Sequence, residues 1–192
     1  LFATSLAFMN THLIEQSITK KNRKAIGNRS PYAGPVDMVE TKDGWIVVQV
    51  LGNTLFKRWA NLVGANDLLD KEEFSTDINR GINGEVLSKK TSEWASQYTN
   101  KEALDLLANA NVPAGPVNDL QDALDDPHVK AMNFFQDLEY PGIPGKSPVM
   151  GLPVKLSNSE NTIERRPPIL GEHTEEILKD LGFTNEEIKE FK

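Results

Sequence analysis

Val36-Asp37-Met38-Val39-Glu40-Thr41-Lys42-Asp43-Gly44-Trp45-Ile46-Val47-Val48-Gln49-Val50-Leu51 reads as two strands around a tight turn. Val36, Met38 and Glu40 alternate on the way in. Successive side chains of a strand point to opposite faces, so this alternation predicts a strand with two unlike faces. Lys42-Asp43-Gly44 supplies the turn, and residues 45–51 return as a β-branched, apolar run. An antiparallel hairpin therefore lies in the first half of the chain, with helical periodicity on both sides of it.

Downstream, Thr54 is the expected N-cap of a helix whose apolar stripe is Leu55, Phe56, Trp59, Leu62 and Val63, ended by Gly64. Residues 67–84 are polar and carry no clear period. A short helical pattern surrounds Trp94 over 91–98, and Thr99 with Glu102 forms a capping box ahead of Leu104, Leu106 and Leu107. Val112-Pro113-Ala114-Gly115-Pro116-Val117 is too stiff for a helix and predicts an extended connector. Asn118 is the expected cap of a short helix stopping near Asp126-Pro127. Residues 134–140 predict a strand, 141–145 a turn, and 149–156 a second strand that Pro153 confines to an edge or a bulge. Two tail helices are expected, one over 174–181 closed by Gly182, the other boxed by Thr184 and Glu187.

Upstream of the hairpin, Phe2, Leu6, Met9 and Leu13 recur at three- and four-residue steps, the pattern of a one-faced helix that needs a covering partner. A basic stretch, 20–24, leads into Gly27-Asn28-Arg29-Ser30-Pro31-Tyr32-Ala33-Gly34-Pro35, whose glycines and prolines mark a loop with fixed turns. The coarse class is α+β.

Composition sets further bounds. A 192-residue chain with 39% hydrophobic and 26% charged residues can build a core, so disorder is not the default. The net charge of −7 argues against a nucleic-acid partner, since phosphate backbones are met by basic surface. There is no cysteine, which removes disulfides and thiol nucleophiles and fits a reducing cytoplasm. No run approaches the roughly 18 apolar residues of a membrane span. The apolar start, 1–14, lacks a basic leader and is interrupted by Asn10, Thr11 and His12, so it is not read as a signal sequence. An apolar period already under way at Leu1 predicts a truncated or processed start.

Self-contained catalytic machinery is not evident. His12, His128 and His173 stand far apart without metal-ligand spacing. His12 reads as a packed or solvated helix residue and His128 as part of a helix start. No phosphate-cradling glycine loop and no nucleophile elbow occurs. Glu72-Glu73 and Asp125-Asp126 read as solvated faces.

Four stretches in order resemble family III CoA-transferases, the CaiB/BaiF family. Gly27-Asn28-Arg29-Ser30-Pro31 resembles the segment after that family's linker helix. Asp43-Gly44-Trp45-Ile46-Val47 resembles its hairpin strand, followed by Gly52-Asn53 and a helix containing Phe56. Asn111-Val112-Pro113-Ala114-Gly115-Pro116-Val117-Asn118 is similar to its Gly-Pro connector, with Asp126-Pro127-His128-Val129 downstream where glutamine is usual at the third place. Arg166-Pro167-Pro168-Ile169-Leu170-Gly171-Glu172-His173-Thr174 resembles its closing signature.

This resemblance implies an α+β small domain with a β-hairpin and packed helices. Helical segments belonging to a mostly absent Rossmann-like large domain flank it. It divides the chain into a linker helix and loop over 1–34, the small domain over 35–145, and a returning segment over 146–192. The implied reaction moves coenzyme A between an acyl-CoA and a small carboxylic acid through an aspartyl intermediate, without a metal. No aspartate occurs between Leu1 and Tyr32, so the nucleophile is expected upstream and no catalytic residue is assigned here. This chain alone is expected to be inactive. The implied substrate-binding residues are Asn28, Arg29, Tyr32 and Gly34 in the loop over the active site, with Gly52 and Asn53 at the strand-to-helix turn. Arg29 is the candidate for a substrate carboxylate, with a surface ion pair or a loop brace as the bland alternative, and Tyr32 the candidate wall. Glu172 and His173 are read as structural, Glu172 satisfying amide donors at the start of the final helix and His173 packing beside it. Full-length members form interlocked homodimers, and a cytoplasmic setting without membrane or nucleic-acid partners is implied. Two alternatives stand beside this. One is an α-methylacyl-CoA racemase of the same family, disfavoured because Gly52-Asn53 stands where racemases tend to carry glutamate. The other is a non-catalytic binding module or subunit.

Overall fold

A computed structural model describes residues 1–154, 156–159, 163 and 165–191. Two compact units divide it, Leu1–Val117 and Asn118–Lys192.

The first unit opens with α1 (Phe2–Phe8) and α2 (Asn10–Thr19). The single helix expected here is broken at Met9, which has φ −89° and ψ 3°. Leu1, Phe2, Leu6, Phe8, Met9 and Leu13 are all exposed, so the predicted stripe exists and nothing in the unit covers it.

The hairpin forms as β1 (Val36–Glu40) and β2 (Trp45–Gln49), paired with Met38 opposite Val47 and Glu40 opposite Trp45. Ile46, Val48 and Val50 are fully buried while Trp45 and Val47 face outward, the two-residue period of a half-covered strand. The helix after it, α3 (Gly52–Val63), begins two residues before the expected cap Thr54. Leu51 occupies the cap position without a side-chain bond, and Gly64 at φ 70° ends the helix as predicted. The unreadable stretch 67–84 holds two 3-10 turns and α4 (Asp77–Ile82), capped by Thr76, whose hydroxyl accepts the Asn79 amide. α5 (Gly84–Ala95) starts seven residues before the expected 91–98 helix, because its buried stripe is Leu87, Thr91 and Trp94 and the intervening Lys89 and Lys90 hide it. α6 (Asn100–Asn109) carries the predicted Thr99–Glu102 capping box.

The supposed connector is more than extended chain. Its residues 114–116 form β3 (Ala114–Pro116), antiparallel to β2, which makes a three-stranded sheet of order β1-β2-β3. Pro116 has no amide to donate and is tolerated because β3 is an edge strand. Val39, Ile46, Val48 and Val50 from the sheet pack with Phe56, Trp59, Leu87, Trp94 and Leu107 from the helices. Each large side chain so buried is worth about 1.5–3 kcal/mol.

The second unit contains α7 (Leu120–Asp125) and α8 (Pro127–Ala131). Asp119, not Asn118, caps α7, because the carboxylate reaches the Asp122 amide and Asp122 returns the bond. β4 (Phe135–Glu139) and β5 (Lys146–Met150) pair antiparallel across the 141–145 turn. The second strand thus lies three residues earlier than expected, and its proline is Pro148 rather than Pro153. α9 (Thr174–Asp180) and α10 (Asn185–Glu190) follow, the latter boxed by Thr184 and Glu187 as read from the sequence.

Candidate functional site

The loop 27–34 and the turn at Gly52 and Asn53 both bear on the short helix α4. On one side, a Cβ added to Gly81 would stand 2.4 Å from the Pro31 carbonyl oxygen and 2.8 Å from the Tyr32 nitrogen, so only glycine admits this approach. The Arg80 carbonyl oxygen in turn lies 2.9 Å from where a Cβ on Gly34 would sit. Arg29 runs past Gly84 on the same side.

Against the strand-to-helix turn, the Gly52 amide donates to both carboxylate oxygens of Asp77, at 2.9 and 3.0 Å. Gly52 has φ +81°, a conformation that glycine adopts without strain. Arg80 is 1% exposed. Its Nη2 donates to Asn53 Oδ1 at 2.9 Å and to Asp77 Oδ1 at 2.6 Å, and its Nη1 donates to the Phe74 carbonyl at 2.8 Å. Its Nε has no partner among the described residues. The Phe56 ring lies 4.6 Å from the guanidinium carbon, where its π face meets the charge. Burial pushes the Asp77 carboxyl up, yet the hydrogen bonds from Arg80 and the Gly52 amide, with the Arg80 charge, hold it below the ordinary carboxylate value.

Two grooves flank this core. One, of about 430 Å³, is lined by Asn53, Phe56, Lys57, Asp70, Phe74 and Arg80, with Leu69 and Ser75 completing its wall. The other, of about 320 Å³, is lined by Arg23, Lys24, Ile26, Gly27, Arg29 and Pro31. Arg29 is half-buried there and has no hydrogen-bond or ion-pair partner among the described residues. Arg23 is engaged: it pairs with Glu15 and its guanidinium lies 4.9 Å from the Tyr32 ring centre.

Of the residues singled out from the sequence, Gly34 is buried against α4, and Gly52 and Asn53 are held by Asp77 and Arg80. Asn28 is exposed. The Tyr32 hydroxyl donates to Glu15 Oε2 at 2.8 Å, which commits it to α2. Asp77 and Arg80 were missed by the sequence reading. Their three-residue spacing after Thr76 marks a helix start, but nothing in it says that the arginine is buried.

Within the second unit, Glu172 accepts the Ile169 amide at 2.9 Å and takes both Nη atoms of Arg166. That arginine holds the Glu172 carboxyl down to about 2, helped by the Ile169 amide. His173 Nδ1 lies 3.2 Å from Glu176 Oε2. The closing signature is thus a brace, and the amide that Glu172 satisfies is that of Ile169, ahead of α9 rather than at the expected helix start. Among the described residues no group of three His, Cys, Asp or Glu side chains is placed to hold a metal, and no helix is long and apolar enough to cross a membrane.

The family model for CoA-transferase family III matches residues 1–174. Succinyl-CoA:glutarate CoA-transferase of Homo sapiens is 31% identical over 170 residues, covering 88% of this chain and 38% of that protein. Succinyl-CoA--D-citramalate CoA-transferase of Chloroflexus aurantiacus is 28% identical over 185 residues, covering 95% of this chain and 46% of that protein. The crystal structure of a CAIB/BAIF family protein from Brucella suis superposes with a TM-score of 0.68 at 26% identity, covering 90% of this chain and 44% of that one. The chain spans less than half the length of the relatives it matches. By this match, and by an α+β fold shared with the CaiB/BaiF structure, the chain belongs to CoA-transferase family III.

Proposed function

We propose that this chain is the C-terminal part of an enzyme that moves coenzyme A from an acyl-CoA to a small carboxylic acid, with the aspartate nucleophile supplied by a segment upstream of Leu1. The observation that carries the reading is the family match over residues 1–174, on a chain with no aspartate before Asp37. The aspartate carboxylate attacks the thioester carbonyl, the C–S bond breaks and CoA leaves as thiolate, giving a mixed anhydride. The thiolate then attacks the aspartyl carbonyl and expels the first acid as its carboxylate, leaving an aspartyl-CoA thioester. The incoming carboxylate displaces CoA to form a second anhydride. Attack of the thiolate on that acid's carbonyl releases the new acyl-CoA and restores the aspartate.

Residues 1–34 link the domains, 35–145 form the small domain, and 146–192 return to the large one. The unpaired Arg29 with Asn28 and the turn residues Gly52 and Asn53 face the acid, while Tyr32 and Gly34 hold the loop in place through α2 and α4. The two relatives named above act, by their names, on glutarate and D-citramalate, both dicarboxylic acids, and an acid of that class is the substrate assigned here. The working protein is a cytoplasmic homodimer.

Incubation of the upstream-extended protein with succinyl-CoA and glutarate should give glutaryl-CoA and, on quenching, a covalent adduct on an upstream aspartate. This chain alone should give neither. A stoichiometric acyl or CoA adduct on a carboxylate within residues 1–192 would overturn the assignment. So would entry of solvent deuterium at the α-carbon of a 2-methylacyl-CoA without transfer to added acids, the signature of a racemase.

A further inference from the structure

Arginine carries five N–H donors and no acceptor. Because Arg80 Nη2 donates to the Asn53 side chain, the atom facing it must be Oδ1, which settles the sense of an amide that otherwise flips freely. The Asn53 NH2 group therefore points away from Arg80, and no acceptor among the described residues meets it. Lys57 stands four residues on along α3, the spacing at which helix side chains are neighbours. It has no ion-pair partner among the described residues. Both line the groove of about 430 Å³, whose apolar wall is Phe56, Leu69 and Phe74. Asp70, also on that groove, repels anions, so the free donors there that favour a carboxylate are those of Asn53 and Lys57.

Arg80 is itself held: Asp77 balances its charge, and the Phe74 carbonyl and Phe56 ring fix its plane. The same Asp77 carboxylate takes the Gly52 amide, so turn and side chain are oriented by one pair. We propose that Arg80 is a positioning residue that fixes Asn53 as a one-way hydrogen-bond donor, so that Asn53 and Lys57 together receive a carboxylate of the acid substrate in this groove. The inference rests on the CoA-transferase reading and adds to it the groove, the sense of the amide and the roles of Lys57, Asp77 and Arg80.

The test uses the upstream-extended protein, with succinyl-CoA as donor and glutarate, then D-citramalate, as acceptor. Asn53→Asp keeps an oxygen for Arg80 and converts the outward donor into a charged acceptor. It should leave the melting temperature unchanged or higher while raising KM for the acid about 10-fold or more, the scale of a lost hydrogen bond to a charged group. KM for succinyl-CoA should move far less. Lys57→Met, an exposed substitution, should raise the same KM several-fold. Arg80→Lys keeps the charge but not the planar fork. It should raise the acid KM at a near-constant kcat per folded molecule, whereas a merely structural defect would lower the active fraction and leave KM alone. If the unaltered protein transfers CoA but Asn53→Asp and Lys57→Met both keep the acid KM within about twofold, the groove is wrong and the transferase reading stands. If the unaltered protein transfers CoA to neither acid and calorimetry shows no binding of either, both fall together.

Discussion

Glu172 shows how one side chain sets the pH response of its surroundings. Its carboxyl stands at about 2 in the folded chain against an ordinary 4.5, because the Arg166 hydrogen bonds and the Ile169 amide favour the charged form. A depressed folded value means that the unfolded chain binds the proton first. The stabilisation is therefore complete above about pH 4.5 and is lost as the pH falls toward 2. Hydrogen exchange at the Ile169 amide should accelerate relative to intrinsic rates between pH 5 and pH 3, and Glu172→Gln should abolish that dependence. A pH-independent protection factor over this range would contradict the brace. The sequence announced Glu172 as a structural acceptor but could not name Arg166 as its partner, since the 166–172 bend that joins them is a property of the folded loop. Arg80 was illegible for a related reason: a charged residue in a polar stretch reads as solvated, and only the aromatic and carbonyl groups closing over it make it buried.

Among the elements, those with a strict local signal were the legible ones. Ile46 and Val48 alternate with Trp45 and Val47, and Thr99 reciprocates with Glu102, so the hairpin and the start of α6 follow from neighbours in the chain. β3 was read only as extended because its identity as a strand lies in the Ile46–Pro116 pairing, a contact some seventy residues away in sequence. β5 begins at Lys146, ahead of the expected 149–156, and admits Pro148 because a two-stranded sheet leaves both strands at an edge. α4 has the sharpest test of the elements. Gly81→Ala would drive a methyl into the Pro31 carbonyl, a rigid backbone neighbour. It should cost about 1–3 kcal/mol, the usual range for overpacking, and loosen the loop 27–34. Thermal denaturation with amide exchange on residues 28–34 measures both, and unchanged values would mean that the loop does not rest on α4.

At the scale of the whole chain, the apolar side chains left outside carry the message. Phe2, Leu6, Phe8, Met9 and Leu13 near one end, and Leu170, Ile177, Leu181 and Phe191 near the other, are exposed. Apolar surface on this scale marks an interface or an aggregation hazard. The amides of α1, α2, α9 and α10 should exchange slowly in the upstream-extended protein. In this chain alone they should exchange fast, or the chain should self-associate by light scattering. A monomer whose end helices exchange as slowly as β1 and β2 would show that the stripes need no cover. The sharing of α4 has its own consequence. The loop around Pro31 and the turn at Gly52 lie about twenty residues apart and meet one six-residue helix at Gly81 and Asp77, four residues apart along it. Substitutions in the two stretches therefore draw on the same conformational free energy and their effects do not add. A change tolerated in one stretch should then alter what is tolerated in the other, a coupling that a double-mutant cycle across the loop and the turn would read.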